Sequence, residues 1–130
     1  MNLEPGIKGY AETMVDDTNV ASAIGSGAFL VYSTPSMILL MEKASHLSVK
    51  PFLDEGFDTV WINLDVAHLA STPKGQKVHA ESELIAVDGK VLTFKVTAYS
   101  EIEKIGEGIH KRCVINNQRF LEKMEERYAN

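Results

Sequence analysis

Between residues 59 and 68 the side chains alternate, with Val60, Ile62, Leu64 and Val66 set against Thr59, Asn63 and Asp65. A period of two predicts a half-buried strand and puts His68 on its apolar face. Ser71, Thr72, Pro73 and Gly75 then break the chain. A first strand is predicted over residues 7–15, with Tyr10 and Met14 opposite Ala11 and Val15. Asp88-Gly89, between extended segments 77–87 and 90–100, predicts a tight hairpin with positive φ at both turn positions. A last strand is predicted over 105–115. It carries Gly106, Gly108, His110 and Arg112 on one side and Ile105, Ile109, Cys113 and Ile115 on the other. Alternate glycines let another group approach the backbone closely.

Helical signals differ in kind. Ser33 or Thr34 suits an N-cap, Pro35 suits the first helical position, and helix formers run to Lys50 before Pro51. Met37 to Met41 is an unbroken apolar run, which predicts a helix buried on most sides, under a curving sheet or a sheet plus a second subunit. Residues 117–128 form a terminal helix with Phe120, Leu121, Met124 and Tyr128 on one stripe, and 16–27 form a loop with room for a short helix. Consecutive strands joined by short turns make the chain a single α+β domain, residues 1–130, with an antiparallel sheet.

Composition narrows the function. A net charge of −5 argues against a nucleic-acid binder, and no apolar run approaches the length of a membrane span. Cys113 is the only cysteine, so no internal disulfide forms and the expected compartment is the cytoplasm. The four histidines, His46, His68, His79 and His110, show no metal-ligand spacing. No metal or cofactor is expected.

Four polar residues stand where packing alone would not choose them. Thr34 opens the buried helix, where it could serve only as a cap. Glu42 follows the apolar run, where a solvated stripe is the plain alternative. His68 could be a satisfied core histidine, and Arg112 an edge-strand arginine in water. Together they supply a hydroxyl, a carboxylate, an imidazole and a cation, as acyl transfer or thioester hydrolysis needs. The amides of Ser36 and Met37, at the positive end of the helix, are the predicted oxyanion donors. Eight helical residues rise ~12 Å, so Thr34 and Glu42 of one chain should not touch directly.

At these residues the chain resembles the hotdog-fold acyl-CoA thioesterases, most closely the fluoroacetyl-CoA thioesterase-like group. The resemblance rests on VYSTPSMILLMEKA at 31–44, DVAHLASTPKG at 65–75, ELIAVDGKVLTF at 83–94 and GEGIHKRCV at 106–114. It implies a curved antiparallel sheet wrapped around the long helix, and a homodimer, with tetramers conceivable, whose sheets join edge to edge. It implies catalysis by Thr34, Glu42 and His68, with Arg112 in the substrate site and acyl-CoA as substrate. Trp61 stands where the specialised fluoroacetyl enzymes carry a small glycine, and Gly25 and Ala28 stand where they place an aromatic gate. Trp61 therefore joins Ser36, Met37 and Arg112 as an expected substrate contact. The competing readings are a non-catalytic acyl-CoA or apolar-acid binding module and, ranked below it, a hydratase of the same fold.

Overall fold

The computed structural model describes residues 1–129. In chain order they form β1 (Lys8–Met14), α1 (Ala21–Ile24), α2 (Thr34–Val49), β2 (Phe57–His68), β3 (Lys77–Asp88), β4 (Val91–Tyr99), β5 (Lys104–Asn116) and α3 (Asn117–Tyr128), with a 3₁₀ turn at Lys50–Phe52. The five strands make one antiparallel sheet in the order β1-β3-β4-β5-β2, curled around α2.

Helix α2 packs on β1, β3 and β4. Met37, Leu40, Met41, Ala44, Ser45 and Val49 are its buried side, facing Val78, Ala80, Leu84, Leu92, Phe94, Val96 and Ala98 from the sheet. Gly9 makes this closeness possible: a Cβ there would stand 2.1 Å from the Ala44 carbonyl oxygen. The expectation of burial on most sides is not met within one chain. Leu39 is 50% exposed and Leu47 57%, flanking exposed Lys43 on the outer side of the helix.

The hairpin falls where it was predicted, one residue out of phase. Asp88 still belongs to β3, opposite Val91, and the two-residue turn is Gly89-Lys90. Only Gly89 has positive φ, 59°, so the turn needs a glycine at its first central position alone.

The main correction lies in β2. Its register against β5 slips at Ile62: Trp61 pairs with Arg112 and Asn63 with Lys111, leaving Ile62 as the extra residue of a bulge. Side chains directly opposite in a ladder share a face. Before the bulge the odd residues Thr59 and Trp61 share the face of Arg112; after it the even residues Leu64, Val66 and His68 share the face of His110, Gly108 and Gly106. Thr59, expected among the outward polar residues, is therefore buried, and Ile62, expected inward, is exposed.

Candidate active site

Thr34 and His68 come together at one end of the sheet. The chain entering α2 is tied to the chain leaving β2: Val31 bridges Pro73, and Tyr32 N–H donates to the Thr72 carbonyl at 2.8 Å. Leu69 N–H then donates to the Ile105 carbonyl at 2.7 Å, fixing the end of β2 against β5. His68 Nδ1 thereby lies 2.7 Å from Thr34 Oγ1. His68 Nε2 is buried and has no partner among the described residues. Burial pushes the imidazole below its ordinary pKa, favouring the neutral form.

The helix cap is Ser33, not Thr34. Ser33 Oγ accepts the Ser36 N–H at 3.1 Å and also bonds the Ser36 hydroxyl at 2.6 Å. This frees the Thr34 hydroxyl for His68. It also corrects the predicted oxyanion donors, because the Ser36 amide serves the cap and Met37 N–H donates to the Ser33 carbonyl at 3.0 Å. Pro35 has no N–H to offer, so Thr34 N–H is the first-turn amide left without a partner among the described residues. Met37 is buried and its sulfur packs where a Gly106 Cβ would be.

Glu42, two turns further along α2, and Arg112 of β5 share a recess without forming an ion pair within 4.0 Å. The recess has a volume of 140 Å³ and is also lined by Leu39, Lys43 and His46. Burial pushes Glu42 up, and the Arg112 guanidinium pulls it back down. Arg112 was weighed as an edge-strand arginine in water; β5 instead lies between β4 and β2, and Arg112 is 7% exposed. Its Nε donates to Thr59 Oγ1 at 2.7 Å, one terminal nitrogen to the Thr59 carbonyl at 2.9 Å, and the other to His110 Nε2 at 3.2 Å.

His110 is a site residue the sequence reading did not weigh. It is fully buried, and its Nδ1 lies 2.9 Å from the Asn63 carbonyl, just past the bulge. A carbonyl can only accept and a guanidinium can only donate, so His110 carries its proton on Nδ1 and accepts from Arg112 on Nε2. Burial lowers its pKa, the Asn63 carbonyl opposes this, and Arg112 lowers it further. Thr59 and His110 thus fix the Arg112 guanidinium beside the recess it shares with Glu42. Its alternation with Arg112 on the glycine face was the available signal for His110; Thr59 was hidden by the bulge. Trp61 stands across the ladder from Arg112, 51% exposed, its ring centroid 6.4 Å from that of His110.

Among the described residues no helix is long and apolar enough to cross a membrane, and no cluster of metal-ligating side chains is found.

The curled five-stranded sheet around one long helix, with a Thr–His contact at its rim, defines a hotdog-fold thioesterase. The sequence pattern of the family described as fluoroacetyl-CoA-specific thioesterase matches residues 15–118, and the chain belongs to that family. The chain is 34% identical to the fluoroacetyl-CoA thioesterase of Streptantibioticus cattleyicolor over 97 residues, covering 75% of this chain and 70% of that one. It superposes with a TM-score of 0.85, at 28% identity, on a variant of the fluoroacetyl-CoA-specific thioesterase FlK in complex with fluoroacetate and CoA, over 91% of this chain and 99% of that one. A hot-dog-like protein from Thermanaerovibrio acidaminovorans shares the fold, with a TM-score of 0.90 at 19% identity over 98% and 95% of the two chains.

Proposed function

We propose that the protein hydrolyses small or medium acyl-CoA thioesters, with Thr34 and His68 as nucleophile and general base. One observation carries this reading: a hydroxyl held 2.7 Å from an imidazole that burial keeps neutral. His68 Nδ1 would take the Thr34 proton as Oγ1 attacks the thioester carbonyl, and CoA thiolate would leave. Water would then release the acid with His68 again as base. In that tautomer Nε2 carries the proton; it is buried without a partner among the described residues, and an N–H left in that state calls for an acceptor such as a carboxylate.

Glu42 is the carboxylate for that place, supplied by a second copy of the chain. In its own chain it sits two turns along α2 from Thr34, beside Arg112. A homodimer through β2 supports the transfer. β2 is a twelve-residue edge strand with Trp61 and Ile62 exposed, and long open edges call for a partner. Two such edges paired antiparallel over their length place the Asp58–Trp61 region of one copy beside the His68 end of the other. Asp58 is tied to α2 through His46, 2.8 Å away, so Glu42 travels with that region. Arg112 and Trp61 would then border the acyl group. The lone Cys113 supports a reducing, cytoplasmic setting.

The test is thiol release from a panel of acyl-CoAs, with His68→Ala as control. Binding without release across the panel would replace hydrolysis by the binding-module reading.

A further inference from the structure

We propose that the recess between α2 and β5 seats a hydroxyl group on the acyl part of the substrate, with His46 as the residue that selects it. The inference rests on the thioesterase reading above and names the class of acyl group: short, uncharged and hydroxylated near the thioester.

The recess takes four residues from one face of α2. Leu39, Glu42, Lys43 and His46 follow the three- and four-residue spacing of a helix stripe, and Arg112 of β5 completes the lining. A carboxylate holds His46 in place. Its Nε2 lies 2.8 Å from Asp58 Oδ1, which also accepts the Thr59 N–H at 2.7 Å, while Asp58 Oδ2 accepts from Lys50 at 2.8 Å. Burial opposes the Asp58 charge, but Lys50, the Thr59 amide and His46 outweigh it and hold the carboxyl down at about 2. A carboxylate only accepts, so Nε2 carries a proton and the neutral ring keeps Nδ1 as an acceptor. Neighbouring residues of β2 thus orient two groups of the recess, the imidazole through Asp58 and the guanidinium through Thr59.

Arg112 supplies the donors. A guanidinium has five N–H bonds, and Thr59 and His110 take three of them. Two remain on a side chain that is 7% exposed and makes no ion pair within 4.0 Å among the described residues. A buried N–H without an acceptor is costly, so an occupant of the recess has to accept from Arg112. It has to donate as well, because the Glu42 carboxylate and His46 Nδ1 line the same space as acceptors.

Those demands decide the chemistry. An alkyl group would leave both sides unpaired. A second carboxylate would accept from Arg112 but lie against Glu42, and a cation would meet Arg112 and Lys43. A hydroxyl accepts and donates without charge. The volume of 140 Å³ is several times the ~30 Å³ share of one water, which leaves room for a hydroxyl and the few carbons that carry it, with Leu39 against the carbons. In the edge-to-edge dimer Glu42 stands at the partner's His68, which puts the recess beside the thioester carbonyl.

Matched acyl-CoA pairs test the assignment: lactoyl-CoA against propionyl-CoA, and 3-hydroxybutyryl-CoA against butyryl-CoA. In at least one pair the hydroxylated member should have the higher kcat/KM by about 10- to 100-fold, the range for hydrogen bonds to charged groups. His46→Leu should cut that ratio by about 10-fold, the worth of one hydrogen bond, and His46→Gln, which keeps an amide donor and acceptor, should retain most of it. A merely structural role for His46 would lower both members of a pair together and leave their ratio alone. Equal efficiency within both pairs, or a His46→Leu enzyme with the wild-type ratio, overturns the assignment while hydrolysis stands. Faster cleavage of succinyl-CoA than of either hydroxyacyl-CoA overturns it in favour of a carboxylate seat. Uncleavable thioethers of the same pairs, with a methylene in place of the carbonyl, separate binding from turnover when titrated against the fluorescence of Trp61, the sole tryptophan, which stands across the ladder from Arg112. Tighter binding of a hydroxylated thioether without cleavage of any thioester keeps the recess and rejects hydrolysis, whereas equal binding without cleavage overturns both.

Discussion

Thr34 and His68 are neighbours because the strand that ends in His68 is laced, through Thr72 and Pro73, to the residues that lead into α2. Their 2.7 Å contact closes a loop of 34 residues. Neither residue owes its position to the other, so removing either side chain should leave the lacing intact. His68→Ala is expected to lower kcat by about 10²–10⁴-fold, the range for losing a general base, with the fold unchanged by circular dichroism. Thr34→Ala should match it if Thr34 carries the acyl group. A Thr34→Ala enzyme that keeps most of its turnover would show that water attacks the thioester directly.

The pH dependence would separate the chain's own contribution from that of the proposed second copy. As the proposed general base, His68 must be neutral to act, so activity should rise with pH through its pKa. Burial holds that pKa below the ordinary value near ~6.5 against the opposing pull of the Ala70 backbone, while a carboxylate at Nε2 raises it. Glu42→Gln should therefore lower kcat and also move the acid limb of the profile to lower pH. A limb that does not move places Glu42 away from His68.

Much of this arrangement was legible before folding. The strands, the helix and the residues of the Thr–His contact announce themselves through periodicity, Pro35 and the glycine spacing of β5. What was hidden is of one kind. The bulge at Ile62 adds one residue to a ladder without any mark in Trp61-Ile62-Asn63, and it reverses the facing of everything before it. Thr59 thus moved from outer polar to inner anchor. Arg112 looked like an edge residue because strand order is a long-range property that local alternation does not carry. The choice between Ser33 and Thr34 as cap turned on where the backbone enters the helix, Ser33 being extended (φ −77°, ψ 149°) and Thr34 already helical, although either fits the sequence rule.

His110 should matter to stability through hydrogen bonding. His110→Leu leaves the Asn63 carbonyl and one Arg112 N–H without their buried partner, at a cost of about 1–3 kcal/mol in urea unfolding. The wild-type chain should also lose stability on the acid side. Both His68 and His110 have folded pKa values below the unfolded value of ~6.5, so the unfolded chain binds more protons in that window. Stability should be level above neutral pH, fall as pH drops from the unfolded value of ~6.5 toward the folded values, and level off below them. A urea midpoint constant from pH 7.5 to 5 would contradict the neutral His110.

The two inner glycines of β5 differ in what they make room for. A Cβ on Gly106 would meet the flexible end of Met37, with Sδ at 2.5 Å, whereas one on Gly108 would meet the Asp65 carbonyl at 2.1 Å and the Val66 backbone at 2.6 Å. Methionine can turn aside and a ladder partner cannot. Gly108→Ala should therefore cost the larger share of stability, about 1–3 kcal/mol, and Gly106→Ala less. Equal losses in denaturant would mean that Met37 is as fixed as the strand.

Assembly is the most exposed part of the proposed mechanism. The chain of 14.4 kDa should sediment at twice that mass at micromolar concentration, with β2 paired to β2. Ile62 is exposed on the bulge of that edge, so Ile62→Lys puts a charge at the middle of the seam while leaving the buried core untouched. The variant should sediment as a monomer and keep its thermal transition within a few degrees. It should also lose at least ~10²-fold in kcat, since His68 would lack its carboxylate. Adding an equal amount of a His68→Ala, Ile62→Lys chain should not restore activity, because neither edge can pair. Full activity in a monomeric Ile62→Lys protein would place the whole catalytic apparatus in one chain and remove the reason for a shared site.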